Sequence, residues 1–294
     1  MDRFSAYRTF ITVVAEGSMI KAAQKLNLTS SAISKQLSQL EHEMGVELIK
    51  RTTRSLAVSD EGIDFHRDCV VLLKQAEGIE EKLKSSLGDM VGKIKISWSQ
   101  ILMRGPLVDM LVEFSKAYPN IKIESVVSNR NLDFMENDLD FAFRTFLKGS
   151  APSSSKALIN SRTVVCASPQ YLAEVGHPTS LEEILLDNLI VPSYLNLSDL
   201  RSLLSSYGEL KHLDRYSSIN DAIAYYHAVC AGMGFGLMQQ TLIEQDLKSG
   251  ALVEVLPDFK LRTLEVHLVG NDKSAPTPKT VLFKEFTNKF FETQ

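Results

Sequence analysis

The spacing of apolar positions near the start of the chain predicts two short helices joined by a tight turn. The first spans Met19–Leu26 and follows Ser18, whose hydroxyl can cap it. The second follows Thr29, which can cap in the same way, after a turn at Asn27 and Leu28. The apolar residues that repeat at helical spacing are Ala22, Ala23, Leu26, Ile33, Leu37 and Leu40. The small alanines allow the helices to approach closely, which is typical of a helix-turn-helix.

The face of the second helix opposite its apolar stripe is polar. It carries short hydroxyls and long donors, the types that contact phosphates and base edges in a major groove. Each residue alone would suit the surface of an ordinary helical bundle, but together they favour DNA binding. With the two capping residues, the predicted DNA contacts of the helix pair are Ser18, Thr29, Ser30, Ser31, Ser34, Lys35 and Gln39.

A β-hairpin with a cationic tip is predicted directly after this helix. Gly45 should end the helix, and Glu47–Lys50 and Leu56–Val58 can pair as short strands. One arginine in a turn is most often a solvated charge, but two arginines beyond a recognition helix suit phosphate or a minor groove. The tip residues expected to contact DNA are Arg51, Thr52 and Arg54.

A long helix is predicted after the hairpin, from Ser59 as its cap to about Leu87. Its apolar positions advance by four and three residues alternately, the spacing of a two-helix seam. We expect these residues to form a dimer contact, although a helix that packs its stripe on its own domain would show the same pattern. The residues of the stripe are Phe65, Cys69, Leu72, Ala76, Ile79 and Leu83.

From Lys93 the pattern changes to short β-branched runs that alternate with helices, which predicts an α/β architecture in two lobes. Helices are expected near Pro106–Tyr118, in a short segment before Leu139, and from about Pro278 to the end. The predicted strands are Lys93–Ser97, Ile121–Val127, Leu139–Arg144, Val164–Ala167, Leu189–Pro192, Tyr216–Ile219, Phe235–Met238 and Leu264–Val269.

The chain resembles the LysR-type bacterial transcription regulators (LTTRs) over nearly its whole length. In the N-terminal part the resemblance lies in Ala22-Ala23, Ser31-Ala32-Ile33-Ser34, Leu37-Ser38-Gln39-Leu40-Glu41, Gly45-Val46-Glu47-Leu48 and Arg51-Thr52-Thr53-Arg54. The C-terminal part is similar to the LysR effector-binding domain in Phe114-x-x-x-Tyr118-Pro119, Asp140-Phe141-Ala142-Phe143-Arg144, Cys166-Ala167-Ser168-Pro169-x-Tyr171-Leu172 and Ala231-Gly232-x-Gly234-x-Gly236.

The resemblance implies three parts. A winged helix-turn-helix domain, all-α with a β wing, is expected over residues 1–59 and a linker and dimerisation helix over 60–88. Residues 89–294 are expected to form a two-lobed α/β effector-binding domain of the type 2 periplasmic-binding-protein-like fold. Lobe 1 would comprise about 89–162 and 264–294, and lobe 2 about 163–263, with crossings near Arg162 and Thr263. Assembly as a tetramer is what the family implies.

Ligands of α/β sheets bind at the carboxyl ends of strands, so the loops after the predicted strands are the candidate effector site. Ser99 and Gln100 are the strongest candidates, whereas Asn220 beside Asp221 is expected to cap a helix first. Arg144 could pair with a carboxylate effector or form a structural salt bridge, and these alternatives are equal. The candidates are Ser99, Gln100, Ile101, Ser128, Asn129, Arg144, Thr145, Asn196 and Asn220.

Charge and length fit a dimeric regulator with modest DNA affinity. The 294 residues carry a net charge of −4, but residues 1–60 carry +2 and the remainder −6. A local excess is sufficient if the cations share one face, and a dimer can address two half-sites. The predicted partners are double-stranded DNA, a small-molecule effector such as a metabolite, and further copies of the chain, with RNA polymerase as a further candidate.

Several other functions are disfavoured by what the sequence lacks. No export signal or membrane span is apparent, which argues against a solute-binding protein and predicts a cytoplasmic one. Cys69, Cys166 and Cys230 are widely spaced, so buried reduced thiols are expected rather than disulfides or zinc ligands, with redox sensing as an alternative. The glycines of Gly232-x-Gly234-x-Gly236 follow a predicted helix and do not form a dinucleotide loop. We therefore expect no enzyme activity, cofactor or metal.

Overall fold

The N-terminal part of the chain forms a three-helix bundle followed by a β-hairpin. The computed structural model describes residues 2–51, 56–85, 90–186, 188–193, 197–204, 216–259, 261–272 and 275–293. The helices are α1 (Arg3–Glu16), α2 (Met19–Leu26) and α3 (Ser30–Met44), and the hairpin pairs β1 (Ile49–Arg51) with β2 (Leu56–Val58). The apolar stripe predicted for α3 is buried in the centre of this bundle, as are the two alanines of α2.

The turns between these helices follow the expected capping chemistry. The Ser18 hydroxyl accepts a hydrogen bond from Lys21 N at 3.4 Å, and the Thr29 hydroxyl accepts one from Ala32 N at 3.2 Å. Gly45 ends α3 in the left-handed region, with φ of +72°.

The linker helix α4 (Asp60–Ser85) leaves the hairpin and packs on both halves of the chain. The Ser59 hydroxyl accepts from Gly62 N at 2.9 Å and donates to the Glu47 carbonyl oxygen at 2.7 Å. One side chain therefore caps the helix and holds the start of the hairpin. The end predicted near Leu87 lies outside the described residues.

Lobe 1 contains four strands of a continuous mixed sheet in the order β4-β3-β5-β11. Strands β3 and β4 are parallel, as are β3 and β5, and β11 runs antiparallel to β5. Helices α5 and α11 cover the apolar core of this lobe. The elements are β3 (Gly92–Trp98), α5 (Leu107–Ala117), β4 (Ile121–Val127), β5 (Phe141–Leu147), β11 (Thr263–Gly270) and α11 (Pro278–Glu292).

The short helix expected before Leu139 was wrong. Residues 128–140 form turns, in which the Asp133 carboxylate accepts from Met135 N at 2.8 Å and from Glu136 N at 2.9 Å. This is the geometry of a helix N-cap, but the single turn that follows ends at Asp138, whose φ of +53° lies outside the helical region.

Lobe 2 continues the same sheet in the order β6-β9-β7-β8, with β10 also paired to β6. Its apolar residues form two clusters, one on each face of the strands. The elements are α6 (Pro169–Val175), α7 (Leu181–Leu186), β7 (Leu189–Pro192), α8 (Leu197–Leu203), β8 (Ser217–Ile219), α9 (Ala222–Cys230), β9 (Phe235–Gln239), α10 (Glu244–Ser249) and β10 (Val253–Val255).

Strand β6 (Lys156–Ala167) joins the two lobes and is much longer than the predicted Val164–Ala167. Its first half pairs with β11 and its second half with β9 and β10. Arg162 lies opposite Thr263, so the two positions where the chain is expected to cross between lobes are paired neighbours. The first half was missed because polar residues interrupt its apolar pattern.

Candidate DNA-binding surface and effector cavity

Helix α3 presents a polar surface on the side away from the N-terminal core. Ser30, Ser31, Lys35 and Gln39 are exposed, and Ser34 is half-buried beside them. Within the described part of the chain no acidic group forms an ion pair with Lys35. A lysine that is not neutralised within the protein remains available to a phosphate.

The hydroxyls of the two capping residues are already engaged. Ser18 and Thr29 each accept a backbone N–H, and the Thr29 hydroxyl also forms a 3.0 Å hydrogen bond with the Ser31 hydroxyl. Thr29 is exposed and Ser18 is half-buried. The structure therefore gives both residues a local role in placing the helices, whether or not they also contact DNA.

The hairpin is held against α3 by a carboxylate that we did not identify from the sequence. Glu41 Oε1 accepts from Leu48 N at 2.9 Å and from Ile49 N at 3.0 Å. The only sequence feature that marks this glutamate is its position directly after Leu40 of the apolar stripe. Of the predicted tip residues, Arg51 ends β1, while Thr52 and Arg54 lie outside the described residues.

The apolar stripe predicted on α4 divides into two parts. Phe65 and Cys69 belong to the intramolecular packing: the Phe65 ring lies edge-on to Tyr7 with centroids 5.5 Å apart, and Cys69 is buried. Ala76 is half-buried. The remaining stripe residues are exposed by 41%, 70% and 72% of their surface, and these are Leu72, Ile79 and Leu83.

A partly buried group of three charged side chains fixes α4 to lobe 1. Lys74 Nζ lies 2.9 Å from Asp138 Oδ1 and 3.2 Å from Asp140 Oδ1, while Asp140 Oδ2 accepts from Lys95 N at 2.8 Å. Burial disfavours the charged lysine, but the attraction of the two aspartates outweighs this and raises the pKa of Lys74. The linker is thus anchored to the loop before β5 and, through Asp140, to β3.

A cavity of about 620 Å³ lies between the two lobes. Its volume is in the range that small-molecule sites use. Residues of lobe 1 and of lobe 2, among them Tyr225 and Gln239, line it together. Six predicted effector contacts line the cavity, and they are Ser99, Ile101, Ser128, Asn129, Arg144 and Thr145.

Two other predicted effector contacts, Gln100 and Asn220, do not line the cavity. Gln100 starts the 3₁₀ helix Gln100–Arg104, and the next residue, Ile101, faces the cavity in its place. Asn220 is exposed and precedes Asp221, whose carboxylate caps α9 by accepting from Ile223 N and Ala224 N. Asn196 lies outside the described residues.

A three-residue contact joins the lobes beside the cavity. Arg104 of lobe 1 lies 2.5 Å from Asp246 of lobe 2, and its guanidinium carbon is 3.7 Å from the centre of the Tyr226 ring. Tyr226 donates to Asp246 at 2.9 Å. This contact was not predictable from local sequence patterns, because its members are far apart along the chain.

A second cavity, of about 950 Å³, lies between α4 and lobe 1. Lys74, Asp138 and Asp140 line it, and they are already paired with one another. The cavity between the lobes contains six of the predicted effector contacts, and we therefore take it as the candidate effector site.

Two family models together cover most of the chain. One, described as a bacterial regulatory helix-turn-helix protein of the lysR family, matches residues 4–63. The other, the LysR substrate binding domain, matches residues 88–292. The chain belongs to the LysR family. The LTTR architecture, an N-terminal helix-turn-helix domain followed by a two-lobed α/β domain, is therefore confirmed.

Relatives of this LysR-family protein are regulators of transcription. An HTH-type transcriptional regulator of Escherichia coli K12, YhjC, is 25% identical over 97% of both chains. CrgA, an HTH-type transcriptional regulator of Neisseria meningitidis serogroup C, is 26% identical over 85% of this chain and 83% of its own.

Solved LTTR structures share the full-length arrangement. The Vibrio cholerae virulence activator AphB is 25% identical with a TM-score of 0.58, over 98% of this chain and 99% of its own. ArgP from Mycobacterium tuberculosis is 16% identical with a TM-score of 0.69, over 97% of this chain and 96% of its own. At this identity the likeness shows the fold alone. The family thus assigns a DNA-binding domain and an effector-binding domain to this chain.

Burial also affects the three cysteines of this LTTR. Burial raises the pKa of the Cys69 thiol to about 12 and also raises the pKa values of Cys166 and Cys230, as expected of inert thiols. Among the described residues, no group of three or more His, Cys, Asp or Glu is placed to hold a metal. No helix in those segments is long and apolar enough to cross a bilayer.

Proposed function

We propose that this LysR-family protein binds a specific, partly palindromic DNA site as a dimer or tetramer and responds to a small molecule bound between its lobes. The observation that carries the DNA part is the surface of α3. Its apolar stripe is buried, while Ser30, Ser31, Lys35 and Gln39 are exposed. A helix with this division can lie in a major groove without disturbing its own core.

The hairpin supplies the second DNA contact in this proposal. Because Glu41 binds the backbone of β1, the hairpin keeps a fixed position relative to α3. The expected contacts at its tip, Arg51, Thr52 and Arg54, are inferred from the sequence. Together with Ser18, Thr29 and Ser34 they complete the proposed DNA-contacting set, in which the two caps act mainly by positioning.

Self-association uses the exposed half of the α4 stripe. Leu72, Ile79 and Leu83 are exposed and have the spacing of a helix seam. A second α4 would cover them, and two recognition helices would then address two half-sites. Phe65 and Cys69 serve mainly the chain's own fold, which narrows the proposed contact to residues 72–83.

The effector is expected to act through the relative position of the lobes. A ligand in the cavity touches both lobes, so it stabilises one arrangement of them over another. Lobe 1 is tied to α4 by Lys74, and α4 is tied to the hairpin by Ser59. This series of contacts connects the cavity to the DNA-binding surface. We infer a regulator and not an enzyme, with RNA polymerase as a further candidate partner.

The first test is selection of DNA by the full-length protein from random-sequence duplexes, followed by sequencing. A partly palindromic site should be enriched. If a folded dimer enriched no sequence at low or moderate salt, with or without cell metabolites, the proposal would be wrong.

A substitution then tests the recognition helix on the selected site. Lys35→Ala should weaken binding and reduce the slope of log affinity against log salt by about one per subunit, because one phosphate contact is lost. Lys25→Ala is the matched control, since Lys25 is exposed in the same domain but paired with Glu16 at 2.7 Å. An unchanged slope for Lys35→Ala would remove Lys35 from the DNA contacts.

A further inference from the structure

The charges around the cavity between the lobes are unbalanced. Among the described lining residues, Arg144 is the one cation, and none is an aspartate or glutamate. Most of the other lining residues are apolar, including Phe134, Phe146 and Leu237. A cation in apolar surroundings is costly unless an anion accompanies it.

Arg144 has no counter-ion within the described residues. Its Nη2 atom is shielded from solvent and has no hydrogen-bond acceptor there. Burial alone lowers the pKa of this arginine, with no carboxylate opposing the shift. The structural salt bridge that was one of its two predicted roles is therefore not present in this part of the chain.

Glu265, the acidic residue on the neighbouring strand β11, is hydrogen-bonded to another residue. Arg144 of β5 lies opposite His267 of β11 in the register. Glu265, two residues from His267, is 3.2 Å from His267 Nε2, and His267 Nδ1 is 2.9 Å from the Ser155 hydroxyl. Glu265 is therefore hydrogen-bonded to His267, and within the described residues it forms no ion pair with Arg144.

Other polar groups of the cavity limit what the anion can be. Ser99 already donates to Asn129 Oδ1 at 2.8 Å, whereas Gln239 Oε1 is buried and has no donor in the described chain. The amide oxygen of Gln239 can accept from a hydroxyl or N–H group of a ligand. One cation balances one negative charge, and the apolar wall favours an organic body over an inorganic ion.

We propose that this cavity binds a small organic monocarboxylate, whose carboxylate pairs with Arg144 and whose apolar body occupies the space between the lobes. A planar guanidinium forms two parallel hydrogen bonds with a carboxylate, which suits this pairing. Gln239 accepts a hydrogen bond from a hydroxyl on the same ligand. The inference rests on the proposed function, because it names the chemical class of effector for that site.

Thermal unfolding of the full-length protein with paired acid and amide probes tests this. The probes are benzoate, cinnamate and hexanoate against benzamide, cinnamamide and hexanamide, at matched millimolar concentrations and constant salt. At least one acid should raise the unfolding temperature more than its amide. If amides equalled their acids, or if no acid acted, the proposal would be wrong.

Variants then locate the binding. Arg144→Gln should weaken binding of the stabilising acid about 10- to 100-fold, the effect of losing a charge-assisted pair. Arg144→Lys keeps the positive charge but not the planar guanidinium. Its affinity for the acid should therefore lie between that of the native protein and that of Arg144→Gln. Arg130→Gln is the matched control, because Arg130 is exposed in the adjacent loop and does not line the cavity. Unchanged acid binding in Arg144→Gln would overturn the assignment.

Two further readouts keep the result clear. Without ligand, Arg144→Gln should unfold at the same temperature as the native protein or higher, since an unpaired, half-buried charge is removed. A lower temperature would indicate a structural partner for Arg144 and would contradict the proposal. If Arg144→Gln did not fold, the acid and amide comparison on the native protein would decide. If the protein enriched a DNA site but bound no acid, the proposed effector class would be wrong and the proposed function would stand. If it bound an acid but enriched no DNA site, the proposed function as a regulator would be wrong.

Discussion

The contact between the linker helix and the hairpin leaves no room for a methyl group at Gly62, in the first turn of α4. A Cβ there would lie 2.3 Å from the carbonyl oxygen of Leu48 and 2.8 Å from Val58 Cγ1. The Leu48 oxygen accepts a hydrogen bond from Ser59 N at 3.0 Å, so it cannot turn aside without losing that bond. Gly62→Ala must therefore push α4 and β1 apart.

The expected cost follows from these distances. Ordinary contact begins at about 3.4 Å, so the carbonyl or the helix must move by about 1 Å. Overpacking of this kind costs about 1–3 kcal/mol, and a weakened hydrogen bond adds about 1 kcal/mol. Alanine returns about 0.5–1 kcal/mol through its better helix propensity. We expect Gly62→Ala to lower the free energy of unfolding of the N-terminal domain by about 1–3 kcal/mol.

Calorimetry and hydrogen exchange of the full-length protein measure this effect. Exchange should speed up in β1 and at the start of α4, and DNA affinity should fall because the hairpin moves relative to α3. Gly78→Ala on the same helix is the control: its Cβ would meet only the Thr277 side chain, with Cγ2 at 3.0 Å, a much smaller overlap than that at Gly62. A Gly62→Ala variant as stable as the native protein, or more stable, would refute the close approach.

Three other predictions concern the same half of the chain. Glu41→Ala should lower the free energy of unfolding by about 1–3 kcal/mol, because two backbone N–H groups lose a charged acceptor, and Glu41→Gln should lose less; equal losses would contradict this. Burial lowers the pKa of His66 from 6.5, although nearby carboxylates oppose it, so the unfolded chain binds more protons below that pH and stability falls on acidification. His66→Gln should flatten this fall, measured as unfolding temperature between about pH 7 and about pH 5, and an unchanged slope would exclude His66 as its source. Ile79→Lys should dissociate the dimer in sedimentation whereas the control Glu77→Lys should not, and an intact Ile79→Lys dimer would place the contact elsewhere.

The elements with a strong local period were predicted well. The stripe of α3, the 26-residue α4 and strand β4 were found from the sequence because their apolar residues repeat with the period of the element itself. Strand β6 was found only in part, because its first half lies where the chain passes between lobes and alternates poorly. The prediction for 128–140 was wrong because the single turn that Asp133 caps ends at Asp138, whose φ of +53° lies outside the helical region.

For the candidate effector site, the sequence indicated which loops come together but not the chemistry of the cavity between them. The rule that ligands lie after strands placed Ser99, Ser128 and Arg144 near one another, and the structure puts all three at the cavity. The same rule also proposed Gln100 and Asn220, which do not line the cavity. Gln100 begins a 3₁₀ helix, and Asn220 lies next to the residue that caps α9. A sequence position tells which loop a residue is in, but not which way its side chain faces.

By itself, the sequence determined the order of parts in this LTTR: a helix-turn-helix, a hairpin, a long linker helix and two α/β lobes. These follow from periodicity and capping, which act between residues a few positions apart. Only the tertiary structure decided that Lys74 anchors the linker to Asp138 and Asp140, that Arg104 joins the lobes, and that Arg144 has no counter-ion within the described residues. Those outcomes depend on which charged residues, distant in the sequence, come within a few ångströms of each other and are shielded from water when the chain folds. Local sequence patterns do not contain that information.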